Sequence, residues 1–311
     1  MNAPARTRQA VQLAGYQGPA SVLTQAMQRL VAALQAGEPA TDWAFEPDVT
    51  ASGETARSLF DSVQRGQRQL CYVASSYLSA QVPALELLDI PFSVFDRTAA
   101  LHALGGEIGT ALADAVRAAT GLRVLGYWDN GVRHLSNGVR QIRHPRDCAG
   151  LTLRTLDSSS YRAAFTALGF NPVSIDVRAL HHAVATGLVQ AQENPLTNLL
   201  LFDLWRHHRF VSLTEHLFGV ALLVVNEAWW QSLGTHLRWL LHAAVAGGLA
   251  AQHQQALEED ARAVPLLAAG QVAVLQPAAI DIAAMRQRCA ALHAEMCARL
   301  PRDWLGMYLQ R

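Results

Sequence analysis

The chain has 311 residues, 51% of them apolar and 16% charged, which suits one large or two medium buried lobes and excludes a disordered protein. Its 25 basic residues balance 25 acidic ones, so it lacks the surplus positive charge of a general nucleic-acid or membrane-surface binder. All 25 are arginine; without lysine there is no Schiff base, no P-loop lysine and no attachment point for pyridoxal phosphate.

No apolar run of signal-peptide length follows Met1, which suits a mature or re-started chain, or one that stays in the cytoplasm. Residues 9–15 read as a strand and 21–35 as a helix stopped by Gly37. A strand over 43–49 precedes a helix that Ser52 caps and that ends near Gly66. Residues 70–75 form a compact buried strand, and 98–119 one long Ala-rich helix. Strands over 122–128 and 132–137 meet at Asp129-Asn130-Gly131, a strong hairpin-turn signal. A strand over 151–156 and a helix over 159–168 closed by Gly169 follow. Asp176 caps a helix ending near Gly187. Strands over 209–213 and 219–225 precede a helical run over 235–263, near 40 Å at ~1.5 Å per residue. A strand over 272–275 and a helix over 278–300 close the chain.

This alternation implies parallel or mixed sheets with helices on both faces, and the long helix can lie against two lobes at once. Apolar stretches 217–225 and 243–251 fall short of the ~20 residues of a membrane span. Cys289 and Cys297 stand about 12 Å apart along a helix, too far for a disulfide, and they, Cys71 and Cys148 are expected to be buried free thiols.

Dinucleotide, P-loop, nucleophile-elbow and zinc-protease motifs are all absent. The doublets His181-His182 and His207-His208 point their neighbours different ways and make no chelating pair, so no metal, cofactor or catalytic residue is expected. Three polar segments lie beside apolar strands. Arg133 follows the Asp129–Gly131 turn signal and is either a solvent-facing hairpin residue or an anion contact. Arg154 shares one face of its short strand with Thr152 and Leu156 and needs a partner, because an unpaired buried guanidinium is very costly. Glu193 and Asp157 are available to it, and its planar fork equally suits a carboxylate from outside. Asn194 before Pro195 is a turn former or an amide contact.

The order of these segments is informative. Gly126-Tyr127-Trp128-Asp129-Asn130-Gly131-Val132-Arg133-His134-Leu135-Ser136-Asn137, then Gly150-Leu151-Thr152-Leu153-Arg154, then Gln192-Glu193-Asn194-Pro195 resembles the solute-binding subunits of tripartite ATP-independent periplasmic (TRAP) transporters, the DctP-type family. Tyr72-Val73-Ala74-Ser75-Ser76-Tyr77, Leu88-Asp89-Ile90-Pro91-Phe92 and Ala167-Leu168-Gly169-Phe170-Asn171-Pro172-Val173 extend the similarity over nearly the whole chain. The family's usual Asp-Gly before the Gln-Glu-Asn-Pro run stands here as Gln190-Ala191.

The resemblance implies a two-lobed, periplasmic-binding-protein-like α/β fold with a hinge and one long helix spanning both lobes. Lobe I is expected over 1–124 with about 214–250, and lobe II over 125–213 with about 251–311. It implies a non-enzymatic, monomeric protein that captures an organic acid and delivers it to small and large membrane subunits. By position, Arg154 pairs with the ligand carboxylate, Arg133 is a second contact, and Asn194 hydrogen-bonds the same group. Ser75, Ser76 and Tyr77 supply first-lobe polar contacts, with Gln17 in the opening loop. Trp128 and Phe170 wall the cleft. Arg133 makes a dicarboxylate or hydroxy acid compatible with the site. Residence is expected in the periplasm by family, the alternative being a cytoplasmic organic-acid sensor or carrier.

Overall fold

The structure, a computed structural model, describes residues 10–309. It opens with β1 (Val11–Ala14), α1 (Val22–Gly37), β2 (Trp43–Glu46), α2 (Ala56–Gln64) and β3 (Leu70–Ala74). Helices α3 (Arg97–Leu104) and α4 (Glu107–Thr120) lead into β4 (Leu122–Asn137) and β5 (Thr152–Thr155). Then come α5 (Ser159–Leu168), β6 (Asn171–Ser174), α6 (Val177–Ala185), β7 (Ala191–Pro195) and α7 (Leu196–Leu201). Strand β8 (Phe210–Asn226) is followed by α8 (Glu227–Ser232), α9 (Thr235–Ala269), β9 (Ala273–Leu275), α10 (Ile282–Arg299) and α11 (Arg302–Leu309). Residue 9, the expected start of the first strand, lies outside the described residues.

Local chemistry sets many of these limits. Ser158 and Asp176 each accept a first-turn backbone N–H and so begin α5 and α6. Gly169 takes φ 102, the left-handed conformation that stops α5. The expected Ser52 cap is displaced by Thr55, which exchanges hydrogen bonds with Ser58 in a capping box. The single helix expected over 98–119 is two, because Gly106 adopts φ −109, ψ −147 and breaks the ladder.

The sheet order is β2-β1-β3-β8-β4-β7-β5-β6, with β9 also on β8. Strand β3 pairs with residues 221–225 of β8, whereas β9 pairs with 210–212. Likewise β7 pairs only with residues 133–137 of β4. The two central strands therefore run through both lobes, which confirms the mixed sheet flanked by helices.

The hairpin expected at Asp129-Asn130-Gly131 is not formed; β4 is one strand of 16 residues. The turn chemistry is used for a bulge instead. Gly131 takes φ 83, its N–H donates to Asp129 Oδ1 at 2.8 Å, and the register to β8 slips between Asp129 and Val132. A Cβ at position 131 would stand 2.7 Å from Pro195 Cβ. Strand β8, expected as two pieces, is also continuous over 17 residues, with Glu215 at φ 48 beside a second register slip.

Helix α9 has 35 residues, about 52 Å. It continues past the expected end at Ala263 and through Pro265, which supplies no N–H to the helical ladder. It packs on α1, α7 and β4. The buried Gln252 amide donates to Asp129 O and accepts from Asp129 N–H, both at 2.8 Å, strapping the helix to β4 at the bulge. Leu13, Met27, Phe60, Leu222 and Val224 belong to the main core, and Leu180, Leu199, Leu213 and Leu267 to a smaller one under α9. Each fully buried leucine contributes roughly 1.5–3 kcal/mol. Among the described residues no helix is long and apolar enough to cross a membrane, and all four cysteines are free thiols.

Candidate ligand-binding site

Strands β4, β5, β7 and β8 bring their polar residues together where both central strands bulge. Bulges re-aim side chains, and here Arg133 and His216 lie beside the register slips with both side chains buried. Alternation along β7 places Gln192 and Asn194 on one face and Glu193 on the other.

Glu193 gathers the first network. Arg133 Nε donates to its Oε2 at 2.5 Å and Nη2 to its Oε1 at 3.0 Å, while Thr155 donates to Oε1 at 3.0 Å. His216 Nε2 lies 3.6 Å from Oε2, and its Nδ1 is 2.7 Å from Thr214 Oγ1. Burial pushes the Glu193 carboxyl upward, but the Arg133 charge and the His216 contact outweigh it and hold the pKa at about 2. The second network is a chain of amides. Asn194 Nδ2 donates to Gln192 Oε1 and Gln192 Nε2 to Ser136 Oγ, each at 2.5 Å, and Ser136 meets His208 Nδ1 at 3.0 Å. Asn194 Oδ1 accepts from Arg133 Nη2 and from Asn198 Nδ2, both at 3.3 Å, which joins the two networks.

Arg154 stands apart from both. It is 1% exposed, yet its Nε donates only to the Ile175 carbonyl at 2.8 Å, and its Nη2 has no partner. The two acids that the sequence offered it are taken, Glu193 by Arg133 and Asp157 by Arg162 at 2.9 Å. Burial pulls its pKa below the usual arginine range, only partly offset by Tyr77 and Glu193. Tyr77, on the short 3-10 turn Ser75–Tyr77 after β3, is a neighbouring group whose charge acts on Arg154. Burial pushes its phenol up to about 12 against the pull of the Arg154 charge, and its hydroxyl too is unpartnered. Tyr77 and Ile175 line a hollow of about 260 Å³ together with Thr55, Arg57, Asp157, Ser174 and Asp176. A buried guanidinium and phenol with free hydrogen-bonding capacity, the phenol lining a hollow and the guanidinium bonded to Ile175 in its wall, are what a carboxylate needs.

The other expected residues are placed as follows. Ser75 and Ser76 are buried on the same turn as Tyr77. Phe170 packs edge-on against Phe165, 6.2 Å between centroids, and Phe165 in turn against His216 at 5.4 Å. Trp128 sits against Tyr72 and walls a separate cavity between α1 and α9, away from the hollow beside Arg154. Gln17 lines another cleft, on the α9 side, with Asn198 and Asp260. Among the described residues no group of three or more His, Cys, Asp or Glu side chains could hold a metal.

Three participants were not singled out from sequence. Asp89 is 2% exposed with both carboxylate oxygens unpartnered, and burial, with Glu86 adding, raises its pKa well above the usual range. An acid inside Leu87-Leu88-Asp89-Ile90 was a legible signal of this. His216 and Tyr161, the latter with its ring 5.7 Å from the Arg133 guanidinium carbon, are lone residues that follow no pattern.

The signature of bacterial extracellular solute-binding protein family 7, DctP, matches residues 46–300. The chain belongs to this family. Among its DctP relatives is the 2,3-diketo-L-gulonate-binding periplasmic protein of Escherichia coli, 30% identical over 195 residues, which cover 63% of this chain and 58% of that one. Another is the C4-dicarboxylate-binding periplasmic protein of Rhodobacter capsulatus, 28% identical and covering 70% and 66%. The chain spans less than two thirds of the length of several of the curated relatives it matches. The likeness in fold covers 97% of the chain. The galactonate complex of a sugar-acid-binding protein from Advenella mimigardefordensis superposes with a TM-score of 0.89 at 20% identity, covering 97% of both chains. A TRAP solute-binding protein from a Sulfitobacter with bound β-D-galacturonate gives 0.90 at 18% identity, covering 97% of this chain and all of that one. These likenesses establish the two-lobed fold.

Proposed function

We propose that this DctP-family chain captures an organic carboxylate in the cleft between its lobes, as the solute-binding subunit of a TRAP transporter. It works in the periplasm, hands the acid to a small and a large membrane subunit, and carries out no chemistry on it. The observation that carries this is Arg154, a buried guanidinium with an unpartnered Nη2, whose Nε donates to Ile175 in the wall of a hollow. The relatives agree in chemistry, since diketogulonate, C4-dicarboxylate, galactonate and galacturonate are all carboxylates.

The acid meets Arg154 in the open cleft. Asn194, held by Gln192 and by Arg133, offers its remaining amide hydrogen, and Tyr77 with Ser75 and Ser76 closes from the other side. Excluding water lowers the local dielectric and strengthens the ion pair, so ligand favours the closed form by its differential affinity. Arg133 acts mainly through Glu193 and Asn194, as a positioning residue. The lobes, 1–124 with about 214–250 and 125–213 with about 251–311, hinge where β4 and β8 bulge.

Titration calorimetry with a panel of organic acids tests this. The unaltered protein binds at least one acid, and Arg154→Ala weakens that acid by ~3 kcal/mol or more, the cost of breaking a buried pair. Unchanged affinity in the variant would contradict the assignment.

A further inference from the structure

If Arg154 grips a carboxylate, as proposed above, the charges around it narrow which carboxylates fit. Arg133 and Arg154 are the two arginines buried at the site. The first is spent, its Nε 2.5 Å and its Nη2 3.0 Å from the two Glu193 oxygens, so that pair is electrically neutral. One buried positive charge remains, and one anionic group satisfies it.

Among the described residues, the one cation lining the rest of the hollow, Arg57, is already paired with Asp61. Thr55, Tyr77 and Ser174 contribute hydroxyls to the wall, and Tyr77 Oη has no partner within the protein. The wall's charged groups are Arg57, whose Nε is 3.3 Å from Asp61, Asp157, which Arg162 holds at 2.9 Å, and Asp176, whose Oδ1 accepts the Arg178 backbone N–H. Arg178, exposed at the start of α6, donates to the Gly53 carbonyl at 3.2 Å. A second ligand carboxylate would meet Asp176 and hydroxyls, with Arg57 already committed to Asp61, and would be desolvated without a cation of its own. Ligand hydroxyls, by contrast, find both donors and acceptors there.

We propose that the hollow beside Arg154 selects a singly charged carboxylate whose far end carries hydroxyl groups, and discriminates against dicarboxylates of the same length. Matched pairs test this by calorimetry on the full chain: gluconate against glucarate, and threonate against tartrate, each pair differing by one terminal carboxylate. The expected result is at least ten-fold tighter binding of the monoacid in each pair. Asp176→Asn keeps a good helix cap and removes a wall charge, and it narrows that ratio. Diacids that bind equally or more tightly, and still depend on Arg154, overturn the selectivity while leaving Arg154 as the carboxylate anchor. Failure of every acid in both series removes the anchor as well.

Discussion

Nε of Arg133 lies 2.5 Å from Oε2 of Glu193 on the neighbouring strand, and neither side chain is more than 2% exposed. One strand further along, Arg154 has no acid at all. Two buried guanidiniums, on strands that flank β7, thus differ in kind, one completing the scaffold and one left with unspent charge.

Removing one member of the first pair leaves a charge buried alone. Arg133→Met and Glu193→Gln should each cost ~3–5 kcal/mol, and the double variant less than the sum. Urea unfolding of the four proteins measures the coupling; strict additivity would mean that the pair does not hold in solution.

Arg154→Met should behave in the opposite sense. With no internal acid to orphan, deleting the guanidinium relieves a desolvated charge, so the ligand-free protein keeps or gains stability. Thermal melts without ligand check this, and a large fall in Tm would reveal an internal partner for Arg154.

Acid should destabilise the protein early. Burial, with His216, Arg97 and Arg133 adding, lowers the His134 pKa to about 3, and burial with His207 does the same for His208. Folded pKa values below the unfolded ~6.5 mean that this stability is whole above pH ~6.5 and is lost as pH falls toward 3. The slope is about 1.4 kcal/mol per pH unit for each ring at most. Glu193, lowered to about 2, adds a further loss below its ordinary range. Denaturation between pH 7 and 4 should show the first part, and His208→Gln should flatten it; an unaltered slope in that variant argues against His208.

Asp89 has the reverse sign. Its raised pKa means that the unfolded chain ionises first, so its contribution falls as pH rises above the ordinary carboxylate range. Asp89→Asn is nearly isosteric and should stabilise the protein by ~1–3 kcal/mol at pH 8 and by less at pH 5. Equal effects at the two pH values would show Asp89 to be ionised and paired in the fold.

Much of the fold was legible because local signals and tertiary structure agreed. Helix α5 spans Ser159–Leu168 and ends at left-handed Gly169, as the pattern predicts. The Asp129-Asn130-Gly131 signal misled because it specifies a local conformation, positive φ at glycine, which a bulge needs as much as a hairpin does. What distinguishes them is β8 lying alongside, some ninety positions later. The same holds for the site. Arg154 was readable as an arginine in want of a partner, but whether Glu193 would serve it or Arg133 depended on strand order and bulge position. Trp128 faces α1 and α9 because the Gln252 strap fixes β4 beside that helix.

That strap makes α9 a splint with its fulcrum at the midpoint of the molecule. The helix is bonded to the ribbon near residue 129 rather than at either tip, so flexing of the sheet there leaves the centre of the helix in place. The displacement grows toward its two ends, where each lobe rests on it, and an outside surface that touched only those tips would feel the state of the cleft without reaching it.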